Sequence, residues 1–302
     1  MSTLYAHIGS EKCGSSLIEH SFLNFRALVE ALEKVGVVTT PQLHVALRKV
    51  VVGTQWDDGI HGRIRSQLLT PHRMTGKDVF MTEELMLGLM HEPGKPNPME
   101  RRIDFAQKMF RGFEKVHIIL VVRRQDKFIE SHYNQQVKRG ETRDFGEVLD
   151  ELSLENYCWD VIADAWSEGF SNGSISVFPF EASIWAATGG PKNMLSAISQ
   201  LMGVNVNFDT KEIPIVNPSL RPDMLVAQRV INEEFDLKTA ARIADILSQK
   251  VLKVPGAAQG LFTPEARQQV LDHYAESNKR LFEKYIPQCS VDEYLSVTEE
   301  EK

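Results

Sequence analysis

The segment VHIILVV, residues 116–122, constrains the fold of this chain more than any other stretch. It is an apolar run interrupted only by His117. A continuous apolar run of this length is typical of a parallel strand that is covered on both faces. The residues that follow, 125–139, place Ile129, Tyr133 and Val137 at helical spacing. We therefore expect a buried parallel strand that leads directly into a helix.

The same alternation of strand and helix signals extends over the first 180 residues. Alternating elements of this kind favour a parallel, doubly wound sheet. We predict an α/β fold of the P-loop NTPase-like type in a single domain over 1–302, with its core at 1–181 and helical additions at about 190–290. The further predicted strands are 4–9, 35–39, 78–84 and 175–180; the predicted helices include 15–32, 41–50, 99–113 and 157–169; the predicted loops are 55–63, 92–98, 209–218 and 254–264.

Composition excludes several classes of protein. The net charge of −7 over 302 residues argues against a broad nucleic-acid surface. The three cysteines, Cys13, Cys158 and Cys289, are isolated, which argues against a disulfide framework or a cysteine zinc site. Apolar runs fall far short of the roughly 18 residues of a membrane span, and the N-terminus lacks a secretory pattern. We expect a cytoplasmic protein with no metal site.

The first strand runs into a loop that has the layout of a phosphate-binding loop. Within LYAHIGSEKCGSSLIEHSF, residues 4–22, Gly9 and Gly14 are separated by four residues and a helix follows. Backbone N–H groups at a helix start attract anions, and glycines allow close approach. The nucleotide-kinase form places its lysine directly after the second glycine, whereas here Ser15 holds that position and Lys12 lies inside the loop. Inside the loop, the Lys12 side chain would lie over the bound anion near the bond that breaks. This position suits a donor whose leaving group departs from the loop itself.

The segment KCGSS, residues 12–16, resembles a known element. It is similar to the Lys-x-Gly-Thr/Ser-Thr/Ser element of sulfotransferases that use 3′-phosphoadenosine 5′-phosphosulfate, PAPS. In that family the element grips the 5′-phosphosulfate. The resemblance implies that the cofactor is bound by Lys12, Cys13, Gly14, Ser15 and Ser16.

A second element lies at the end of the apolar strand. VVRRQDKFIESHYNQ, residues 121–135, places Arg123 and Arg124 at the strand end, and Ser131 follows Arg123 by eight residues. Carboxyl ends of parallel strands are where such sheets bind ligands, and arginine pairs well with phosphate. This spacing resembles the 3′-phosphate element of the same sulfotransferases and implies that Arg123 and Ser131 hold that phosphate. Arg124 stands where many relatives carry Asn or Asp. Weaker likenesses cover 155–181 and 261–285, with Tyr157, Trp166 and Asn278 at family positions.

A transfer to a hydroxyl group requires a base. VFMTEE, residues 79–84, resembles the Ser-Ser-Glu strand end of several sulfotransferases, which implies Glu83 as the base. Small-molecule enzymes of the cytosol carry a histidine there instead. His61 is the rival catalytic residue, and with Trp56 and Arg63 it is a candidate for lining the acceptor pocket.

We therefore expect a PAPS-dependent sulfotransferase that moves a sulfuryl group to the hydroxyl or amine of a small-molecule or glycan acceptor and releases 3′-phosphoadenosine 5′-phosphate, PAP. The alternative is a P-loop nucleoside or small-molecule kinase that uses ATP and Mg²⁺. The kinase hypothesis requires a strand that ends in a lone Asp to bind Mg²⁺, and the sequence contains no strong strand of this kind. A third reading is a nucleotide-binding protein that has lost catalysis. The acceptor and the oligomeric state are left open.

Overall fold

The computed structural model describes residues 2–39, 58–87, 99–186, 193–205, 219–250 and 260–297. Its centre is a five-stranded sheet in which every pairing is parallel. The strands are β1 (Thr3–His7), β2 (Val37–Thr39), β3 (Asp78–Thr82), β4 (Lys115–Val122) and β5 (Gly173–Pro179), in the spatial order β2-β3-β1-β4-β5. The predicted α/β class with a parallel sheet is confirmed, and the apolar run at 116–122 is a central strand.

Helices connect the strands and make up most of the described chain after β5. Short turns of other helical types are a π-helical turn at His20–Asn24 and 3-10 turns at Glu84–Leu87, Leu154–Tyr157 and Asp292–Tyr294. The α-helices are α1 (Ser15–Glu19), α2 (Arg26–Lys34), α3 (Asp58–Thr75), α4 (Met99–Phe110), α5 (Gln125–Lys138), α6 (Phe145–Asp150), α7 (Trp159–Glu168), α8 (Ala182–Ala186), α9 (Met194–Leu201), α10 (Pro222–Glu234), α11 (Leu237–Lys250) and α12 (Pro264–Tyr285).

The strand order creates one point at which a ligand crevice is expected. β1 is paired with β3 on one side and with β4 on the other. From β1 the chain continues to β2, beyond β3, whereas from β4 it continues to β5 on the opposite side. The connections after β1 and β4 therefore leave in opposite directions. In open α/β sheets, ligands bind at the carboxyl ends of strands at such a switch point.

Two sequence predictions are wrong in detail. The helix predicted from Ser15 is interrupted, because the chain passes through the π-helical turn and Phe25 adopts an extended conformation before α2 begins. Phe22 is buried against Phe80, whereas Phe25 is 43% exposed and lies outside the core. The predicted loop at 55–63 overlaps α3, which begins at Asp58 and whose buried Ile64 and Leu68 hold it on the core. The predictions for 41–50, 92–98 and 209–218 lie outside the described residues.

No helix in the described ranges is both long enough and apolar enough to cross a membrane. Within the same ranges, no three His, Cys, Asp or Glu side chains are grouped so as to hold a metal ion.

A buried histidine at the end of β1 links stability to pH. Burial lowers the pKa of His7 from its ordinary 6.5 to about 3, and its Nδ1 lies 2.7 Å from the Thr82 hydroxyl. The unfolded chain gains a proton on this residue below about pH 6.5, whereas the folded chain gains it only near pH 3. The free energy of unfolding therefore falls as the pH drops through this window.

We expect His7→Gln to remove this contribution. Between pH 7 and pH 4 the wild-type protein should lose as much as ~3 kcal/mol more unfolding free energy than the variant, measured by urea denaturation at each pH. A difference between the two proteins that stays constant with pH would show that His7 does not titrate in this way.

Candidate functional site

The loop after β1 is fixed between its two neighbouring strands. The Ile8 N–H donates to the Ile119 carbonyl at 3.1 Å, and the Ser10 N–H donates to the Val121 carbonyl at 3.2 Å. The Val121 N–H returns a hydrogen bond to the Gly9 carbonyl at 3.1 Å. The loop therefore continues the pairing of β1 with β4, which places it at the switch point of the sheet.

Both glycines of the loop are required by its geometry. Gly9 has φ 122°, and a Cβ atom there would lie 2.5 Å from the Glu84 carbonyl oxygen. Gly14 has φ 81°, and a Cβ atom there would lie 2.7 Å from the Phe180 ring. Each position combines a left-handed backbone with too little space for a side chain. The glycine spacing read from the sequence therefore has a local structural cause.

Lys12 occupies an unusual position in the loop. Its φ of 63° is in the left-handed region, which residues other than glycine seldom adopt. Burial lowers the pKa of Lys12, the carboxylates of Glu11 and Glu84 counteract this, and the charges of Arg139 and Lys138 lower it further. An anion bound beside Lys12 would raise its pKa again. The loop thus presents a partly desolvated cation.

The residues on either side of Gly14 play different parts. The Ser15 hydroxyl donates a short hydrogen bond to the Glu84 carboxylate. Cys13 is fully buried, and burial raises the pKa of its thiol, so only its backbone can face an anion. Ser16 is half-buried. The motif KCGSS groups these three residues together, and no local pattern marks Glu84, 69 residues away, as the partner of Ser15.

Arg123 brings the second motif to the loop. Its Nη1 donates to the Lys12 carbonyl at 3.0 Å, across 111 residues of sequence, and its guanidinium lies 5.0 Å from the Phe180 ring centroid. The Trp159 indole donates to the Arg123 carbonyl at 2.8 Å, which fixes the backbone there. The buried Nε of Arg123 has no hydrogen-bond partner among the described residues. Arg123 is therefore oriented and retains a donor for a ligand.

Helix α5 lies beside the loop. Ser131 is half-buried and nearly two turns into this helix. The next residue, His132, is buried, with its Nδ1 3.8 Å from a Glu11 carboxylate oxygen. Glu11 is itself buried within the loop. No sequence pattern marks Glu11, because a carboxylate has no place in the usual pattern of an anion-binding loop.

Arg124, by contrast, is part of the protein interior. It is fully buried, and its Nε and Nη2 donate to the two carboxylate oxygens of Asp126 at 2.7 and 2.8 Å. Burial alone would raise the pKa of Asp126, but hydrogen bonds and charges from Arg124 and Arg267 hold it below its ordinary value. A buried bidentate pair of this kind stabilises the fold only while both partners are present, because loss of one leaves the other charge buried and unpaired. Arg124 therefore holds the strand end together and is not placed to bind a ligand.

Glu83 lies at the carboxyl end of β3. Its side chain is fully buried, and its backbone N–H donates to the His7 carbonyl at 2.9 Å. His61 falls within α3, but its side chain is outside what the structure describes, as is Trp56. Arg63 is exposed on α3. The structure thus brings Glu83 to the switch point and leaves the His61 alternative open.

The three residues of the weaker likenesses, Tyr157, Trp166 and Asn278, have packing or structural contacts. Tyr157 and Trp166 are buried in the core. Asn278 exchanges two hydrogen bonds with Gln125, at 2.8 and 3.1 Å, and so joins α12 to the first turn of α5.

Comparisons with known proteins give little further guidance. No protein-family model matches this chain, and no solved structure matches it significantly. An uncharacterized protein of Archaeoglobus fulgidus is 26% identical over 183 residues, which is 59% of this chain and 48% of that protein. The chain thus matches about half the length of this relative, whose name states no activity.

Proposed function

We propose that this protein is a PAPS-dependent sulfotransferase. The observation that carries the proposal is the 3.0 Å hydrogen bond from Arg123 Nη1 to the Lys12 carbonyl. This hydrogen bond joins the two elements that resemble the 5′-phosphosulfate-binding and 3′-phosphate-binding elements of that family. The contact lies at the switch point of the sheet, where ligands bind in this kind of fold.

The residues at this point fit a nucleotide with anionic groups at both ends. Lys12 suits the 5′-phosphosulfate, because it places a partly buried cation in the loop that runs into α1. Arg123, with an unsatisfied Nε, and Ser131 suit the 3′-phosphate. When bound, PAPS would supply the sulfuryl group, with PAP as the leaving group.

Three residues would act on the reaction. An acceptor oxygen forms the new O–S bond while the bond from sulfur to the phosphate oxygen breaks. Lys12 stabilises the negative charge that collects on that phosphate oxygen. Glu83 accepts the proton of the acceptor hydroxyl, and Arg123 keeps the nucleotide in position by its 3′-phosphate. The proposed acceptor is a small molecule or a glycan.

Nucleotide binding tests the proposal directly. We expect PAP to raise the Tm of the protein in EDTA and ATP with Mg²⁺ to leave it unchanged. The reverse pattern would instead support the kinase alternative. If PAP binds, a screen of phenol, sugar, lipid and peptide acceptors with ³⁵S-labelled PAPS tests transfer; label that reaches none of them would favour a binding protein without catalysis.

Arg123→Ala is expected to weaken PAP binding by roughly 2–3 kcal/mol, because it removes a charge-assisted pair with the 3′-phosphate. Isothermal titration with PAP and with AMP, which lacks the 3′-phosphate, measures this, and AMP affinity should change little. Arg111→Ala, an exposed arginine just before β4, is the matched control. If Arg123→Ala weakens PAP and AMP equally, Arg123 does not read the 3′-phosphate.

A further inference from the structure

The C-terminal turn reaches the ends of β4 and β5 through a buried chain of hydrogen bonds. The Tyr294 hydroxyl donates to Glu181 Oε2 at 2.6 Å, and Glu181 Oε1 accepts the Arg124 N–H at 2.9 Å. Tyr294 and Arg124 are fully buried, and Glu181 is almost so. Glu181 follows Phe180, whose ring lies against Arg123, and Arg124 follows Arg123 itself. The chain of bonds thus ends on the residues that flank the arginine of the anion site.

Other contacts hold the turn in this place. Arg124 Nη1 donates to the Glu293 carbonyl at 3.2 Å, and Asn278 Nδ2 donates to the Tyr294 carbonyl at 3.2 Å. The Tyr294 ring packs edge-on against Phe282 of α12, with centroids 5.0 Å apart. The turn Asp292–Tyr294 is therefore anchored to α12 on one side and to the strand ends on the other.

The charges of this cluster fit a neutral phenol that donates to a carboxylate. Burial raises the pKa of Tyr294 well above its ordinary value, and the charge of Glu181 raises it further. Burial also raises the pKa of Glu181, against the opposing effects of the Tyr294 hydrogen bond, the Arg124 N–H and the Arg123 charge.

We propose that Tyr294 and Glu181 are positioning residues for the nucleotide site. Glu181 holds the backbone at Arg124, and the Tyr294 hydroxyl holds Glu181, so that Arg123 is aimed at the loop and at the 3′-phosphate. The inference rests on the proposed function, because it assigns the 3′-phosphate to Arg123. It adds that a C-terminal segment more than 160 residues beyond Arg123 determines how well that phosphate is recognised.

Removing the Tyr294 hydroxyl should affect recognition in a selective way. Tyr294→Phe keeps the ring against Phe282 but leaves one Glu181 oxygen buried without its donor. Glu181 is then free to turn, and the strand end that carries Arg123 loses a constraint. The loop around Lys12 keeps its own bonds to β4, so binding of the 5′ group should persist.

The test compares two tyrosines of the same kind. Tyr274→Phe is the control, since Tyr274 is also fully buried, but its hydroxyl donates to the Leu154 carbonyl at 2.8 Å. Isothermal titration with PAP and AMP is performed well below the Tm of each variant. We expect Tyr294→Phe to weaken PAP about tenfold and AMP less than twofold, and Tyr274→Phe to change neither. A purely structural loss would lower the Tm without changing the ratio of the two affinities.

The outcomes separate this inference from the proposed function. If the wild-type protein prefers PAP over AMP and Tyr294→Phe keeps the full preference, the positioning role is refuted and the proposed function stands. If the wild-type protein shows no preference for PAP, the proposed function fails and the positioning role fails with it. Should Tyr294→Phe not fold, Glu181→Gln, which keeps an acceptor oxygen, replaces it and is expected to lose the same preference.

Discussion

Replacing Lys12 with alanine is expected to lower kcat by about 10²–10³, the loss typical of one donor that stabilises a transition state. The reason lies in its place inside the loop rather than after it. Its partly buried ammonium group has a lowered pKa through burial, which the Glu11 and Glu84 carboxylates offset. The electrostatic interaction of such a cation becomes most favourable in the transition state, when negative charge develops beside it on the leaving phosphate oxygen. The measurement is steady-state sulfuryl transfer at saturating PAPS, with PAP binding measured in parallel.

Lys77→Ala is the matched control for this variant. Lys77 is also half-buried, but it lies just before β3, at the amino ends of the strands and away from their carboxyl ends, where its Nζ donates to the Glu33 carbonyl at 2.8 Å. Its removal should leave kcat unchanged. If Lys12→Ala weakens PAP binding but leaves turnover at saturation untouched, Lys12 binds the nucleotide and does not take part in catalysis.

The sequence predicted the parts of the site that depend on neighbouring residues. The apolar run at 116–122 predicts a central parallel strand, and the chain does fold that way. The spacing of Gly9 and Gly14 predicts a tight turn, since both residues have positive φ and no room for a Cβ atom. Motif order and strand ends then placed Lys12 and Arg123 near one another, and the two residues are joined by a hydrogen bond.

The sequence could not predict contacts between distant segments where no motif marks the partners. Arg123 and Arg124 are adjacent and chemically identical, yet one meets the loop and the other forms a buried pair with Asp126. Only the alternate directions of side chains at a strand end, together with the partners that the fold supplies, separate the two roles. The Tyr294–Glu181 hydrogen bond spans 113 residues and has no local signal. The sequence does not show the interruption of the first helix for a different reason, because apolar residues keep helical spacing on both sides of the π-helical turn.

Two carboxylates that follow β3 in succession, Glu83 and Glu84, are candidates for the base of the proposed reaction. Glu83 is fully buried at the carboxyl end of the strand. Glu84 is half-buried, accepts a hydrogen bond from the Ser15 hydroxyl and raises the pKa of Lys12 by its charge. A carboxyl group removed from water at a ligand crevice is costly, and such groups are common among catalytic bases. Glu84 instead has contacts that shape the loop, so we propose that it positions Ser15 and Lys12 and that Glu83 is the base.

Glu83→Gln is therefore expected to lower kcat by about 10²–10⁴ and to spare PAP binding, because it removes the proton acceptor and keeps the side-chain shape. Glu84→Gln, its matched control, should change PAP affinity and leave kcat at saturation within about tenfold, since it alters only the setting of Ser15 and Lys12. Both variants are compared at equal folded fractions, checked by Tm. Loss of turnover in Glu84→Gln alone would move the base to Glu84. Full activity in both variants would show that neither carboxylate at the end of β3 is the base, and His61 would be the next residue to replace.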